Sequence, residues 1–230
     1  MPETEADTCR VYVLPKLYAA CWTDNQIQEQ HSFTDGRIVP TAKKIRRLKQ
    51  KRADYRLRYT RDFPIAVVEA KASYKTAGEG LQQAKEYAEI LDLKFAYATN
   101  GKEIIEFDFL TGIERKIDAF PSPAELWARL RQGRKLPNEK AADQLLTPCL
   151  HQPGKQLRYY QEIAVNRVIE AILMGKRRIL LTMLYAAAGR ESKHCNETTF
   201  YRHLEENHGG NEEAAETLLC RSCVFQHRSQ

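Results

Sequence analysis

Long apolar runs are missing from this 230-residue chain. The longest, Ile179 to Ala188, is about half the roughly 18 residues a membrane helix needs and is interrupted by Thr182 and Tyr185, which excludes a helical span. Cysteine is sparse, six residues in all, too dilute for a disulfide scaffold, so reduced thiols are expected. The N-terminus, Met1-Pro-Glu-Thr-Glu-Ala-Asp7, is acidic where a secretory signal would be basic and then apolar. A cytoplasmic location is the expectation. Internal repeats are also lacking, which sets aside solenoid architectures.

What is there is a chain with 43% apolar and 29% charged residues, enough to bury a core. Lys plus Arg number 36 against 30 Asp plus Glu, and the excess is local. From Lys43 to Arg61 ten basic residues, Lys43, Lys44, Arg46 and Arg47 among them, surround a single acid, Asp54. Such a run suits phosphate binding or a solvated basic face.

The pattern opens with a helix capped by Asp7 or Thr8, carrying Val11, Leu14, Leu17, Tyr18 and Cys21 on one face and blemished by Pro15. Short strands follow, near 27–33, 52–59, 65–71, 95–99, 102–109 and 113–117, divided by turn dipeptides such as Asn100-Gly101 and Thr111-Gly112. A helix at about 79–91 interrupts them with a stripe of Leu81, Ala84, Ala88 and Leu91, and another opens at Ser122-Pro-Ala-Glu125 with a cap, a proline at its first position and a capping box. The alternation predicts an α/β or α+β sheet domain over 1–134, followed by a polar linker over 135–156. A helix from about Arg158 to Met174, with Tyr160, Ala164, Val168, Ala171 and Ile172 on one face, stops at Gly175. A buried strand, Arg177 to Met183, is expected after it.

The chemistry concentrates on two strands. Ile65-Ala-Val-Val68 delivers Glu69-Ala-Lys71, and alternation puts Glu69 and Lys71 on one face. If the chain reverses between Arg61 and Asp62, Asp54 lies opposite Glu69, with their Cβ atoms about 5 Å apart. Carboxylates that close repel unless a cation sits between them, and the spacing suits Mg²⁺, which accepts one or two carboxylates and completes its shell with water and phosphate. Lys71 on the same face adds positive charge for an attacking water or a developing anion. An ordinary cross-strand charge cluster is the bland alternative. Gln83 and Tyr87, four apart on the next helix, share a face that reaches back over Glu69 or simply forms a solvated edge.

Asp54, then Glu69-Ala-Lys71, then Gln83-Ala-Lys-Glu-Tyr87 resembles the D…ExK…QxxxY pattern of the PD-(D/E)xK nuclease domain that opens the restriction (R, motor) subunit of type I restriction enzymes. Phe33-Thr-Asp-Gly-Arg-Ile38, Lys51-Arg-Ala-Asp-Tyr55 and Ala98-Thr-Asn-Gly-Lys102 also look like that subunit, and the match runs over roughly residues 5–183. The resemblance implies a restriction-endonuclease-like mixed sheet flanked by helices, with Asp54 and Glu69 as Mg²⁺ ligands and Lys71 as the catalytic lysine. Gln83 and Tyr87 would contact the nucleotide. It implies double-stranded DNA as substrate, with methylase and specificity subunits as partners. Ala53 stands where the parent motif often has proline. Glu5 or Asp7 of the first helix would add an acid to the metal site, as in some related nucleases. The competing readings are a catalytically silent DNA-binding or assembly module with a nuclease fold, and a free-standing repair-type nuclease.

Leu157-Arg-Tyr-Tyr-Gln161 looks like the adenine-reading helix of a superfamily 2 helicase motor, with Gln161 as the adenine contact in the intact family. Residues 157–183 are therefore read as an incomplete helicase-like α/β start and 184–230 as a tail outside the family. The intact family binds ATP through a loop ending in Gly-Lys-Thr, where this chain reads Leu184-Tyr-Ala-Ala-Ala-Gly-Arg190. A truncated R subunit is the expectation. His194, Cys195, His203, His208, Cys220, Cys223 and His227 are zinc-binding residue types, but their spacing is irregular and no finger framework accompanies them. Without the glycines and lysine that grip the β and γ phosphates, the chain is expected to show no ATP binding by calorimetry at millimolar nucleotide with Mg²⁺. A saturable isotherm would place a working phosphate site in this stretch after all.

Overall fold

The computed structural model describes residues 4–34, 38–41, 44–47, 50–134, 136, 138–147, 158–179 and 181. The chain divides into two compact units, residues 1–148 with 158–163, and residues 149–157 with 164–230. The first holds a six-stranded mixed sheet in the order β1-β4-β5-β6-β7-β8. These strands are β1 (Ile27–Thr34), β4 (Gln50–Thr60), β5 (Phe63–Ala70), β6 (Phe95–Thr99), β7 (Ile104–Asp108) and β8 (Ile113–Ile117). All neighbours run antiparallel except β5 and β6. That parallel pair requires a crossover, which α3 (Gly78–Ile90) supplies. A two-stranded hairpin, β2 (Ile38–Thr41) with β3 (Lys44–Arg47), intervenes between β1 and β4 and was not expected from the sequence. Lys44, Arg46 and Arg47 lie on β3, while Lys43 falls outside the described residues.

Alternation along β6 separates the two faces of the sheet. Ala96 joins Val67, Ala84 and Ala88 in a core cluster beneath α3. Its neighbours Phe95 and Tyr97 meet Arg129 of α4 (Pro123–Arg134) and Phe120. Each buried ring contributes about 1.5–3 kcal/mol of apolar transfer. The Tyr97 hydroxyl donates to Glu106 at 2.7 Å, and Arg129 and Arg115 donate to the same carboxylate. Burial alone would raise the Glu106 pKa. These three donors outweigh it and hold the carboxyl below its usual range.

The first helix departs from the expected single amphipathic helix. Thr4, not Asp7 or Thr8, is its cap, and a capping box joins Thr4 to Asp7. Helix α1 (Glu5–Thr8) passes through a π-helical stretch, Cys9–Val13, into α2 (Leu14–Ala19), which has Pro15 in its first turn. The π insertion rotates the buried face to Thr8, Cys9, Val13 and Leu17. Val11, Tyr18 and Cys21 are exposed instead.

Within the stretch read as linker, α5 (Glu139–Leu145) forms, because the Asn138 side chain accepts the Ala141 N–H and Ala141, Ala142 and Leu145 are buried. Helix α6 (Tyr159–Leu173) forms as expected, and Gly175 ends it with φ +78°. The strand expected over 177–183 is not present among the described residues. Arg177, Arg178 and Leu181 are exposed there. Residues 180, 182 and 183 of that stretch lie outside the described residues. No described helix is long and apolar enough to cross a membrane.

Candidate active site

The reversal between β4 and β5 is a two-residue turn, Arg61-Asp62, with Thr60 paired to Phe63. A bulge intervenes at Arg58, and the register then recovers through Leu57↔Ala66, Arg56↔Val67 and Tyr55↔Val68. Asp54 and Glu69 are the next residues along each strand. Asp54 Oδ2 reaches past Glu69 and accepts the Ala70 N–H at 2.8 Å. Glu69 is only 2% exposed at the end of β5. Its Oε2 accepts from Gln83 Nε2 at 3.1 Å, while its Oε1 is buried with no hydrogen-bond partner.

Gln83 is the hub. Its Nε2 donates to Glu69 and, at 3.0 Å, to the Tyr87 hydroxyl, while its Oε1 accepts from Lys71 Nζ at 3.0 Å. Four apart on α3, Gln83 and Tyr87 face the strand end. Neither forms a solvated helix edge: Tyr87 is 8% exposed, with its ring edge-on to Phe33 at 5.1 Å. Gly80, one turn earlier, makes room for the lysine, since a Cβ there would stand 3.2 Å from Lys71 Cγ. From α1, Glu5 Oε1 lies 3.4 Å from Lys71 Nζ. Of the two acids expected to approach from the first helix, Glu5 comes to the site and Asp7 serves the Thr4 cap.

Burial, with the Asp54 charge added, pushes the Glu69 carboxyl up to about 9. Asp54 is also raised, by burial foremost, against the pull of the Ala70 N–H. Two adjacent carboxyls that both resist ionisation, one with an orphaned buried oxygen, form a donor set that accommodates a hard divalent cation. Among the described residues no group of three or more His, Cys, Asp or Glu gathers for a metal, so a cation here would take two carboxylates and draw its other ligands from water or substrate. Cys9 is buried nearby. Its thiol is pushed up to about 12 by burial and by Asp54, which leaves it protonated and unreactive.

The basic run divides. Arg56 is 5% exposed and pairs with Glu162 of α6 at 2.5 Å, and Lys51 pairs with Glu86. Neither is free for phosphate in this arrangement. Gln161 stands on α6, where its Oε1 accepts the Arg158 N–H at 3.0 Å and caps the helix. The tail histidines and cysteines, and residues 184–190, lie outside the described residues. Gln30, 3.5 Å from Asp54 Oδ1, is a site residue that the sequence gives no reason to single out.

The class defined by fold and site is a mixed α/β unit in which one sheet end gathers an acid pair, a lysine and a glutamine–tyrosine couple. No protein-family model matches the chain. The endonuclease subunit of the type I restriction enzyme EcoAI from Escherichia coli is 38% identical to it over 193 residues, covering 78% of this chain and 23% of that protein. A solved fragment described as an HsdR subunit of a type I restriction enzyme from Vibrio vulnificus YJ016 is 54% identical, with a TM-score of 0.69, over 79% of this chain and 35% of that one. The homologues of this chain are therefore type I restriction enzyme endonuclease (HsdR) subunits, and it spans 23% and 35% of the lengths of these two.

Proposed function

We propose that the chain carries the DNA-cleaving site of a type I restriction R subunit, a Mg²⁺-dependent endonuclease of the PD-(D/E)xK kind acting on double-stranded DNA. The observation that carries this reading is the Gln83 hub, which ties Glu69, Lys71 and Tyr87 together while leaving Glu69 Oε1 without a partner beside Asp54. Asp54 and Glu69 would hold the cation. Mg²⁺ supplies Lewis-acid polarisation of a phosphate and a lowered pKa for bound water.

The remaining work belongs to the chain. Lys71 projects its ammonium from the end of β5, where positive charge stabilises an anionic pentavalent phosphate. Gln83 fixes that ammonium through its carbonyl oxygen and fixes Glu69 through its amide, so acid and lysine keep one relative placement. Tyr87, wedged on Phe33, keeps Gln83 from rotating away. Methylase and specificity subunits would supply sequence choice. Plasmid nicking that needs Mg²⁺ and is abolished by Asp54→Ala tests the reading, and nicking indifferent to Asp54 overturns it.

Affinity for DNA should fall with salt through counterion release. Replacing Lys43, Lys44, Arg46 and Arg47 together with alanine is expected to flatten the slope of log affinity against log salt by about 3 to 4, close to 0.9 per phosphate contact. An unchanged slope, measured by fluorescence anisotropy on a labelled duplex, would return this run to a solvated face.

A further inference from the structure

One residue within β1, Gln30, has a left-handed backbone, φ +51°. Glutamine gains nothing from that region, unlike glycine or asparagine, so its surroundings hold it there. Its place is informative. Glu29 pairs with Tyr55 and His31 with Ala53, which sets Gln30 abreast of Asp54, and that one position is missing from the ladder. On the other side, the β4–β5 pairing begins only at Tyr55↔Val68. The sheet thus opens on both sides at the residue bearing the carboxylate.

A second observation locates the reversal. Arg56 Nη1 lies 3.4 Å from Gln28 Oε1 and 3.5 Å from His31 Nε2. Those two residues are three apart, and uninterrupted alternation would put them on opposite faces. The strand changes face between them, at Gln30. Its amide Nε2 then stands 3.5 Å from Asp54 Oδ1, while Oδ2 is held by the Ala70 N–H at 2.8 Å.

We infer that Gln30 is a positioning residue for Asp54. The left-handed residue turns β1 so that the amide meets Oδ1, and with Ala70 on Oδ2 the plane of the carboxylate is set before any cation arrives. A carboxylate already ordered loses less freedom on binding, so affinity for the cation rises. The cation in this statement rests on the proposed function. The contact between Gln30 and Asp54 stands without it.

The test uses the 230-residue chain as wild type, Gln30→Ala, Gln30→Gly and Asp54→Asn, with Mn²⁺ as the probe, titrated by electron paramagnetic resonance. Gln30→Ala and Gln30→Gly are expected to weaken Mn²⁺ binding roughly tenfold, the scale for partners that orient a ligand. Gln30→Gly should melt no lower than wild type, because glycine accepts the left-handed backbone. A merely structural role would instead lower the melting temperature and leave affinity alone. In metal-free samples, Asp54→Asn should move the Gln30 side-chain amide resonance in ¹H–¹⁵N spectra. Unchanged Mn²⁺ affinity in both Gln30 variants, or an amide resonance blind to Asp54→Asn, overturns the inference. If wild type and Asp54→Asn bind Mn²⁺ alike, the cation reading of Asp54 fails, and the amide resonance alone decides the positioning contact.

Discussion

Replacing Glu69 or Lys71 with alanine is expected to lower Mg²⁺-dependent nicking of supercoiled plasmid by about a hundred- to a thousandfold, the scale for removing one group that stabilises charge in a transition state. The two losses should not add, because both side chains hang on Gln83 and act as a unit. Gln83→Ala should therefore approach either one while removing neither charge. Folding is a separate question that circular dichroism answers. The Lys71 side chain is 13% exposed and stands outside the hydrophobic core cluster, so the Lys71→Ala spectrum should match wild type. Full nicking by Lys71→Ala would remove the lysine from the chemistry. A wild-type chain that binds duplex DNA yet never nicks it with Mg²⁺ would favour the silent assembly module.

Glu69→Gln is expected to stabilise the metal-free chain, and by an amount that depends on pH. The folded-state pKa of Glu69 stands at about 9 against an ordinary 4.5, because burial and Asp54 penalise the charge. Between those values the unfolded chain releases a proton that the folded chain keeps, so folding stability falls as pH rises through that window. Below pH 4.5 both states hold the proton and nothing is lost. Glutamine has no proton to release and keeps an oxygen for the Gln83 amide. The gain should thus be negligible near pH 4.5 and reach about 1–3 kcal/mol near pH 8, which at about 2–4 °C per kcal/mol is a rise of roughly 2–12 °C in melting temperature. Added Mg²⁺ should close the gap by stabilising wild type alone. A difference constant with pH would show that the effect is packing, and a variant that responds to Mg²⁺ as wild type does would place the cation elsewhere.

The six sheet strands, α3, α4 and α6 were legible in the sequence, because alternation, helical spacing, caps and turn dipeptides are local. Even the register that brings Asp54 level with Glu69 followed from counting outward from Arg61-Asp62, because the shift at Arg58 is undone at Leu57↔Ala66 and the count from the turn is restored. Residue types with matching neighbours were enough to place the acid pair, the lysine and the Gln83–Tyr87 couple on one sheet end. What the sequence could not disclose depends on contacts between distant segments. The buried face of the first helix turned on a π insertion that periodicity cannot register, and α5 formed where polarity alone suggested a linker. Arg56 reads as one more phosphate-seeking cation until Glu162, 106 residues later, neutralises it. Gln30 is the clearest instance: nothing in the identity of a glutamine announces a left-handed backbone. Only the packing of β1 beside the opened ladder at Asp54 holds it there, and a conformation that the residue itself disfavours can be specified only by its tertiary neighbours.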